Sequence, residues 1–472
     1  DGEVSVARER IDPKATHAHR LAEHMATTSL RHLPRDAVDA AKRVALDTLA
    51  VAWAASDSPG SAELRELAAR EGGASDATLL AFGDRVPAGM AALVNGTLAG
   101  ALDYDCLHEP SVMHCDIAIL PAVLAVAERE QSSGEGFLEA LVLGNDLACR
   151  LGLTTCENGG WFYSSLYGGI SAAAAAGKLL GLDADGIRNA MGIALSSTGG
   201  SRQTNLERRF TKRMQTAFAA QSGVQSALLA AAGVTGPAAI FEGECGIWNL
   251  YEAGDPEPLF DGLGERYLNA EIRLKKYPSC ACNHAAAEAA LRIVRSNRLG
   301  PGDIARATAT ITPYMQQITG GPFRPGDTPQ VDAQFNIFYS IASVLQRGRL
   351  GVEDILPPAM FDPDIGEMIG RIEVVVDDEL DTLLAPATVV IETTDGRVLR
   401  EHVAHLPGTP EAPLPDIDLE EKFRACTGRG VDPLDDARAG ALRSRLMHVE
   451  EVDDMGRFFA DIARVAARAR AA

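Results

Sequence analysis

Apolar residues recur at helical spacing through about the first 270 residues of the chain. In the segment HLPRDAVDAAKRVALDTLAVAWAAS, the residues Val38, Ala41, Ala45 and Leu49 fall on one face of a predicted helix. Two later segments, GGISAAAAAGKLLGLDADGIRNAMGIALSS and AAQSGVQSALLAAAGVTGP, are rich in alanine with glycine breaks. Because small side chains let helix backbones approach closely, these segments predict buried central helices. No fixed-period repeat of the solenoid kind is visible.

The pattern changes after RLKKYPSC. The segments ARATATITPY (305–314) and RIEVVVDDEL (371–380) alternate between apolar and polar residues, which is typical of strands. In ATVVIETTDGRVLREHVAH, two strand-like runs are joined by Asp395–Gly396, a favoured two-residue hairpin turn. The segments HAAAEAALRIVRSNRLG and DAQFNIFYSIASVLQRG predict helices between the strands. This part of the chain therefore predicts a smaller α+β unit.

These patterns predict a mostly α protein with two domains. Residues 1–271 form the first part of a large all-helical domain, and residues 272–405 form the α+β domain. Residues 406–472 begin with a proline-rich linker, LPGTPEAPLPDID, and end in the helical pattern MGRFFADIARVAARARAA. We expect this last part to rejoin the first, so that the helical domain is discontinuous. Large pockets often lie between such domains.

Composition and charge exclude some partners. The chain has 472 residues, 46% of them hydrophobic, and a net charge of −21 from 65 acidic and 44 basic residues. This charge argues against nucleic acid and anionic membranes as partners. No apolar run approaches the ~20 residues that a membrane-spanning helix needs, and the start lacks the apolar core of a secretion signal. The eight cysteines form no regular framework, which predicts reduced thiols in a cytoplasmic protein.

The first candidate site is the segment ALDYDCLHEPSVMHCDIAILPA (101–122). Within twelve residues it gathers Asp103, Asp105, His108 and His114 with a tyrosine and a cysteine. Helical patterns precede and follow it, so a polar loop between buried helices is expected, a common place for catalytic groups. Aspartate and serine also cap helices and form turns. Composition alone leaves these two interpretations evenly balanced.

The second candidate is ERRFTKRMQTAFAAQ (207–221), which leads into an apolar helix. Its basic residues, with one upstream, are Arg202, Arg208, Arg209, Lys212 and Arg213. They could form an anion-binding edge for a carboxylate or phosphate. They could equally form a solvated basic face, which the charge pattern alone favours.

The third candidate is RLKKYPSCACNHAAAEAA (273–290), where polar residues crowd ahead of a predicted helix. These residues are Lys275, Lys276, Tyr277, Cys280, Cys282 and His284. Cys-x-Cys-x-His offers three close ligands but no second cluster to complete a tetrahedral site, so we expect no metal here. A helix N-terminus beside two lysines is instead suited to a carboxylate.

These segments together resemble the MmgE/PrpD family, which includes 2-methylcitrate dehydratase, cis-aconitate decarboxylase and iminodisuccinate epimerase. The family's motifs occur in order and over nearly the whole chain. They are NGTLAGALDYDCLHEPSVMHCDIAILPAVLAVAE, GGWFYSSLYGGISAAAAAGKLLGL, TKRMQTAFAAQSGVQSALLAAAGVTGP, KKYPSCACNHAAAEAA and AQFNIFYSIASVLQRG. The resemblance implies a helical domain, a smaller α+β lid, a cleft between them and a homodimer. It also implies chemistry on small polycarboxylates without a metal or other cofactor.

The resemblance also implies site residues. The family's catalytic histidine corresponds to His114, its motif lysines to Lys212 and Lys275, and its aspartates to Asp103 and Asp105. We expect His114 to act as acid or base, and the two lysines to bind carboxylates and the developing negative charge. Asp103 is taken as catalytic with them. The expected substrate-binding residues are Asp105, His108, Arg213, Gln215, Lys276, Tyr277, Cys280 and His284.

Several positions depart from the family pattern. The second aspartate of a pair is Cys106, and Cys115–Asp116 stands where Pro-Ser is usual. Tyr163 and Gln215 replace two histidines, and Asn336 replaces a serine. Tyr163 can exchange a second proton, but its ordinary pKa is near 10 rather than 6.5.

The expected function is a lyase that acts on a small di- or tricarboxylate by α-proton abstraction. Loss of hydroxide would be dehydration, loss of carbon dioxide decarboxylation, and reprotonation on the other face epimerisation. Dehydration stands slightly ahead of decarboxylation. An epimerase is one alternative, and a non-catalytic scaffold that kept the fold is another.

Overall fold

The computed structural model describes residues 11–155, 159–251 and 253–460. Its first part is helical, as predicted. The helices are α1 (His17–Thr27), α2 (Arg35–Ala54), α3 (Ser61–Glu71), α4 (Ala88–Ala101), α5 (Asp116–Glu130), α6 (Gly134–Leu153), α7 (Tyr163–Leu179), α8 (Ala184–Leu195), α9 (Gln203–Leu206), α10 (Thr211–Ala231), α11 (Ile247–Leu250) and α12 (Glu257–Phe260). A short hairpin, β1 (Ala77–Thr78) and β2 (Arg85–Val86), lies between α3 and α4.

Helix α10 lies at the centre of this bundle and packs against α4, α5, α7 and α8. Glycines allow these close crossings. A Cβ atom at Gly223 would lie 2.5 Å from the Cβ of Ala172 in α7. A Cβ atom at Gly96 in α4 would lie 3.0 Å from the Cα of Ala217 in α10. The predicted burial of the alanine-rich helices is therefore confirmed.

The second part combines helices with a sheet. Its elements are α13 (His284–Asn297), β3 (Ile304–Ile311), α14 (Pro313–Thr319), α15 (Pro329–Gln334), α16 (Ile337–Arg347), α17 (Pro363–Ile369), β4 (Ile372–Val376), β5 (Ala387–Thr393), β6 (Val398–Val403), α18 (Asp416–Thr427) and α19 (Asp436–Met447). Single 3-10 turns occur at Pro13–Ala15, Leu30–His32, Ala55–Asp57, Leu268–Glu271, Ala281–Asn283, Pro301–Asp303, Val352–Ile355, Ala359–Phe361, Val449–Glu451 and Met455–Arg457.

The four-stranded sheet has the order β4-β3-β5-β6, with β3 and β4 parallel and the other pairs antiparallel. Helix α13 covers β5 and β6, and α16 packs against both α13 and β4. The turn between β5 and β6 contains Gly396 with φ +86°, a conformation that glycine adopts without strain. The predicted strands and hairpin are confirmed, and so is the mostly α fold with a small α+β part.

One predicted helix is interrupted. The segment DAQFNIFYSIASVLQRG forms α15 and α16, which are separated at Phe335 and Asn336. The side-chain oxygen of Asn336 accepts a hydrogen bond from the backbone N–H of Tyr339 at 2.9 Å and so caps α16. The break places Phe335 beside the cavity described below.

Helices α18 and α19 pack against α2 of the first helical part. This contact returns the chain to the helical bundle, although the exact domain boundaries at 271 and 405 stay a prediction. Residues 461–472 of the predicted C-terminal helix lie outside the described residues. Of the helices in the described ranges, none combines the length and apolar character needed to cross a membrane.

Candidate functional site

The predicted polar loop lies between α4 and α5, at residues 102–115, and its two aspartates are buried. Asp103 and Asp105 are 2% and 0% exposed. Asp103 has φ +49°, in the left-handed region that aspartate tolerates better than most side chains. Backbone hydrogen bonds of 3.0 and 2.9 Å pair Leu107 with Arg273 and join this loop to the segment before α13. Two distant segments of the chain therefore meet at this loop.

Asp103 lies between two ammonium groups. Its Oδ1 accepts a hydrogen bond from Lys212 Nζ at 2.5 Å, and its Oδ2 accepts one from Lys275 Nζ at 3.0 Å. Lys275 Nζ also donates to the backbone oxygen of Asp103 at 2.8 Å. Lys212 comes from the first turn of α10, and Lys275 is 0% exposed. The three residues form a compact charged cluster with one negative and two positive groups.

The two ammonium groups decide the charge of Asp103. Burial alone would raise the pKa of Asp103, but Lys212 and Lys275 outweigh it and hold that pKa well below its ordinary value. Asp103 in turn raises the pKa of Lys212 against the effect of burial. Asp103 and Lys212 are therefore both charged at neutral pH, and Lys275 Nζ lies beside them.

His114 forms a second pair beside this cluster. Its Nδ1 lies 2.5 Å from Oδ2 of Asp105, and its backbone N–H donates to Ser164 Oγ at 2.9 Å. Burial lowers the pKa of His114, and the nearby Lys275 and Lys212 lower it further, although Asp105 acts in the opposite direction. The imidazole is therefore neutral at pH 7, with Nδ1–H donating to Asp105. This hydrogen bond fixes the tautomer that leaves Nε2 free to accept a proton.

A cavity of about 190 Å³ opens onto these groups. The helical part and the α+β part both contribute to its wall. Its polar lining residues include Asp103, His114, Tyr163, Arg202, Asn205, Arg208, Lys212, Cys280, Tyr314 and Gln317. Its apolar lining residues include Leu107, Val112, Trp161, Phe162, Leu206, Ile318, Phe335 and Leu384. A cavity with cations at one wall suits a small anionic molecule.

The structure brings five predicted residues to this cavity wall: Asp103, His114, Tyr163, Lys212 and Cys280. Lys275 and Asp105 lie behind the wall, where they hold Asp103 and His114. A hydrogen bond from the Cys282 thiol lowers the pKa of the Cys280 thiol against the effect of burial.

Other predicted residues point to other partners. His108 Nδ1 lies 2.7 Å from Ser111 Oγ within the loop. Gln215, in place of a family histidine, accepts a hydrogen bond from the backbone N–H of Ser201 at 2.6 Å. Arg213 is buried against the ring of Phe210. These three residues support the wall of the cavity and do not line it.

The remaining predicted residues stabilise the start of α13. Lys276 Nζ and Tyr277 Oη both donate to Glu288 Oε2, at 3.0 and 2.6 Å. His284 Nε2 donates to the backbone oxygen of Ser279 at 3.2 Å. In the described ranges, no group of three or more His, Cys, Asp or Glu residues is arranged to hold a metal ion.

The basic segment before α10 divides between the cavity and the solvent. Arg202 and Arg208 line the cavity with Lys212, whereas Arg209 is exposed and lies 3.5 Å from Asp327. Arg208 donates to the backbone oxygens of Phe335 and Ile318, so it is occupied by the α+β part. The charge pattern alone could not separate these arginines, because it does not show which side each one faces.

Arg202 lines the cavity, although the sequence placed it only in the basic segment and not among the expected catalytic or substrate-binding residues. The structure shows no hydrogen bond or ion pair between its guanidinium and another described residue. Tyr314 and the aromatic residues Trp161 and Phe162 were also missed. Trp161 and Phe162 directly precede Tyr163 within a family motif, which could have identified them, whereas Tyr314 ends a strand-like segment that carries no such signal.

Asp116, two residues after His114 in the chain, makes the stability of the fold depend on pH. It is buried at the first turn of α5, where Asn145 Nδ2 donates to its Oδ1 at 2.7 Å. Burial raises its pKa to about 6. Because the folded state binds this proton more tightly than the unfolded state, stability is highest at low pH and falls as pH rises from about 4 through 6.

We expect Asp116→Asn to remove this loss. The free energy of unfolding of the variant minus that of the wild type should be larger at pH 8 than at pH 4, by up to roughly 3 kcal/mol. Asparagine keeps the oxygen that Asn145 contacts. Urea unfolding of both proteins at the two pH values measures the effect. An equal difference at both pH values would show that Asp116 titrates normally.

Comparison with known proteins agrees with the resemblance. The model of the MmgE/PrpD N-terminal domain matches residues 19–259, and that of the MmgE/PrpD C-terminal domain matches residues 277–447. The chain is 27% identical over 428 residues to the cis-aconitate decarboxylase-like protein oryM of Aspergillus oryzae, covering 85% of this chain and 88% of that protein. It is 25% identical over 467 residues to cis-aconitate decarboxylase of Aspergillus terreus, covering 92% of both chains. It is 26% identical over 357 residues to the human protein of that name, covering 72% and 73%.

Proposed function

Because the chain belongs to the MmgE/PrpD family, we propose that it is a lyase that removes carbon dioxide from a small unsaturated di- or tricarboxylate. The names of the relatives favour decarboxylation over the dehydration that the sequence placed slightly ahead. The observation that carries the proposal is the meeting of two groups at one cavity wall. These are the His114–Asp105 pair and the Lys212–Asp103–Lys275 cluster.

The proposed reaction needs no proton abstraction. The bond to the departing carboxylate breaks and carbon dioxide leaves. The electron pair moves through the adjacent carbon–carbon double bond to the α-carbon of a second carboxylate, which forms an enediolate-like anion. One proton then adds to that carbon, so a proton replaces carbon dioxide overall. This differs from the α-proton abstraction expected from the sequence.

The charged cluster supports the first step. Negative charge grows on the retained carboxylate as carbon dioxide leaves, and preorganised cations stabilise such charge. Lys212 lies on the cavity wall and is fixed by Asp103 at 2.5 Å, so its ammonium group needs no reorientation. Lys275 adds its charge from behind Asp103. Fixed cations in a small, partly enclosed cavity act more strongly than they would in water.

His114 supports the proton step. In the free protein its imidazole is neutral, because burial and the two lysines lower its pKa. A bound polycarboxylate brings several negative charges close to the ring and favours the imidazolium form. Binding of the substrate would thereby favour a proton on Nε2 of His114. His114 would later transfer this proton to a carbon atom of the substrate. Tyr163, on the same wall, is the second candidate donor.

The test uses cis-aconitate in deuterated water, with carbon dioxide and product measured together. We expect one equivalent of carbon dioxide and a product with one deuterium at the reprotonated carbon. Addition of water to give a hydroxy acid, without carbon dioxide, would be the reverse of dehydration and would assign that reaction instead. Deuterium exchange into recovered cis-aconitate without net conversion would show α-proton abstraction, the step that an epimerase needs. Failure to release carbon dioxide from cis-aconitate and from a panel of other unsaturated polycarboxylates would overturn the proposal.

We expect Arg202 to bind a second carboxylate of the substrate. Its guanidinium lines the cavity and has no hydrogen-bond or ion-pair partner among the described residues. Arg202→Leu should raise KM about 10–100-fold while kcat changes by less than about threefold, since a charged hydrogen bond contributes ~1.5–3 kcal/mol. Steady-state kinetics on the acid found in the first test measures both constants.

Arg209→Leu is the matched control. It removes the same charge from the same segment, but Arg209 is exposed and pairs with Asp327 at 3.5 Å. Its KM should stay within about twofold of the wild type, because exposed ion pairs contribute little. Equal effects of the two substitutions would mean that the general basic charge, and not Arg202, attracts the substrate.

We further propose that the protein is a cytoplasmic homodimer that works without a metal or other cofactor, as the resemblance implies. Light scattering of the purified protein tests the dimer. Full turnover after dialysis against a chelator tests the independence from metal. Reversible loss of activity in the chelator would refute that part of the proposal.

A further inference from the structure

A further buried lysine, Lys422, lies beside the charged cluster and outside the cavity. It comes from α18, near the end of the chain, and faces Asp47 of α2. Lys422 Nζ lies 2.7 and 2.9 Å from the two carboxylate oxygens of Asp47. The side chains are 4% and 7% exposed, so both charges are almost fully removed from water.

The other acceptors of Lys422 belong to the site. Its Nζ donates to the backbone oxygen of Tyr104 at 3.0 Å and to that of Lys275 at 3.0 Å. It also lies 3.9 Å from the ring centroid of Tyr104. Tyr104 stands between Asp103 and Asp105 in the chain. One ammonium group therefore joins the backbone that carries both site aspartates to the backbone that carries Lys275.

A buried ion pair usually adds little to the stability of a fold, because both charges must be removed from water. Two charges removed from water often contribute no more than apolar side chains of the same volume. The Lys422–Asp47 pair has a geometric effect that apolar side chains cannot reproduce, because only a multiple donor can hold two carbonyl oxygens at fixed positions. The distance between Asp103 and Lys275 depends on those positions.

We propose that Lys422, oriented by Asp47, is a positioning residue that sets the geometry of Asp103, Asp105 and Lys275 in the site. The proposal rests on the function proposed for this site, but not on which bond of the substrate breaks. Lys422 does not line the cavity, and it contacts the site through the two carbonyl oxygens and the ring of Tyr104.

The test removes both charges together with the double variant Asp47→Asn/Lys422→Met. Removing one partner alone would leave a buried unpaired charge and could unfold the protein. The double variant should fold, as judged by circular dichroism, and should lower kcat about 30–100-fold, because small misplacements of catalytic groups cost about that much. KM should change by less than about threefold, because the cavity residues Arg202 and Lys212 are kept.

A matched control exists on the same helix. Lys42 of α2 lies 2.6 Å from Glu450 Oε1 and donates to the backbone oxygen of Met447 at 3.0 Å. This pair also ties α2 to the end of the chain, but it contacts no site residue. Lys42→Met/Glu450→Gln should therefore keep kcat within about twofold, and urea unfolding of both double variants compares the stability that each one loses.

A second readout does not depend on turnover. The His114 ring can be titrated by NMR in protein labelled with carbon-13 histidine, using His114→Gln to assign its signal. Movement of Asp105 and Lys275 should shift the His114 titration by at least about half a pH unit in the Asp47→Asn/Lys422→Met variant, and not in the control. If the wild type turned over no acid, the proposed function would fail, while this titration would still decide the role of Lys422.

Two results would overturn the inference. One is a folded Asp47→Asn/Lys422→Met variant with wild-type kcat and an unchanged His114 titration. The other is an equal loss of kcat in the Lys42→Met/Glu450→Gln control, which would show that stability alone explains the effect.

Discussion

Replacing His114 with glutamine should lower kcat by about 10²–10⁴-fold, the usual contribution of a positioned acid or base. The amide N–H of glutamine can still donate a hydrogen bond to the Asp105 carboxylate, so the loop should keep its fold. It cannot carry the proton that the reaction delivers to carbon. The measurement is the rate of carbon dioxide release at saturating substrate, with folding checked by the thermal midpoint.

His402→Gln provides the control for this substitution. His402 is exposed on β6, contacts Thr388 Oγ1 at 2.9 Å and does not line the cavity. Its kcat should equal that of the wild type. The kcat of Asp105→Asn should lie between those of His114→Gln and His402→Gln. Asparagine keeps the shape of the pair with His114 but loses the charge that selects the tautomer. Full activity of His114→Gln would assign the proton transfer to another residue, with Tyr163 the next to test.

The pH dependence of kcat/KM follows from the lowered pKa of His114. This constant reports the free protein, where burial and then Lys275 and Lys212 lower the pKa of the imidazole. If the imidazolium donates the proton, kcat/KM should fall as pH rises, with the midpoint below the ordinary histidine pKa of about 6.5. If neutral His114 instead removes an α-proton, kcat/KM should fall as pH decreases. His114→Gln should flatten this part of the profile, and a profile unchanged by the substitution would exclude His114 from both roles.

The fold could be predicted from the sequence where local rules act alone. The Asp395–Gly396 turn between alternating runs needs no distant partner, and the structure has a hairpin there. The alanine-rich segments predicted close helix packing, and Gly223 shows why, since even a Cβ atom would collide with Ala172. The break before α16 was missed because the Asn336 cap interrupts an otherwise helical pattern.

The site could be predicted only in part, because its geometry depends on contacts between distant segments. Motif likeness identified His114, Lys212 and Lys275, and the structure brings them together around Asp103 and Asp105. It could not show that Lys275 lies behind the cavity wall or that Lys276 faces Glu288. Lys422 carries no motif at all, and its contact with the site bridges 147 residues of chain to Lys275.

Asp103 is the position where charge and backbone geometry act together, and Asp103→Asn should lower kcat by about 100-fold or more. Asparagine tolerates the φ of +49° as well as aspartate does, so the backbone should persist. The neutral amide of asparagine cannot balance the positive charges of the two ammonium groups that Asp103 contacts. Without the Asp103 carboxylate, Lys212 and the fully buried Lys275 lose the partner that holds them in place, so the positive charge that stabilises the enediolate-like anion is no longer fixed.

A double-mutant cycle with Lys275→Met shows whether these residues work as one unit. If the ammonium group of Lys275 acts through its contact with Asp103, the double variant should be about as slow as the slower single variant. If the loss of kcat in the double variant instead equals the product of the two single losses, Asp103 and Lys275 contribute independently. Asp103→Ala adds a separate comparison, since alanine at the same φ also strains the loop and should be less stable than Asp103→Asn. The kcat of Asp103→Asn therefore isolates the electrostatic role, and a value within about threefold of the wild type would remove Asp103 from the catalytic groups.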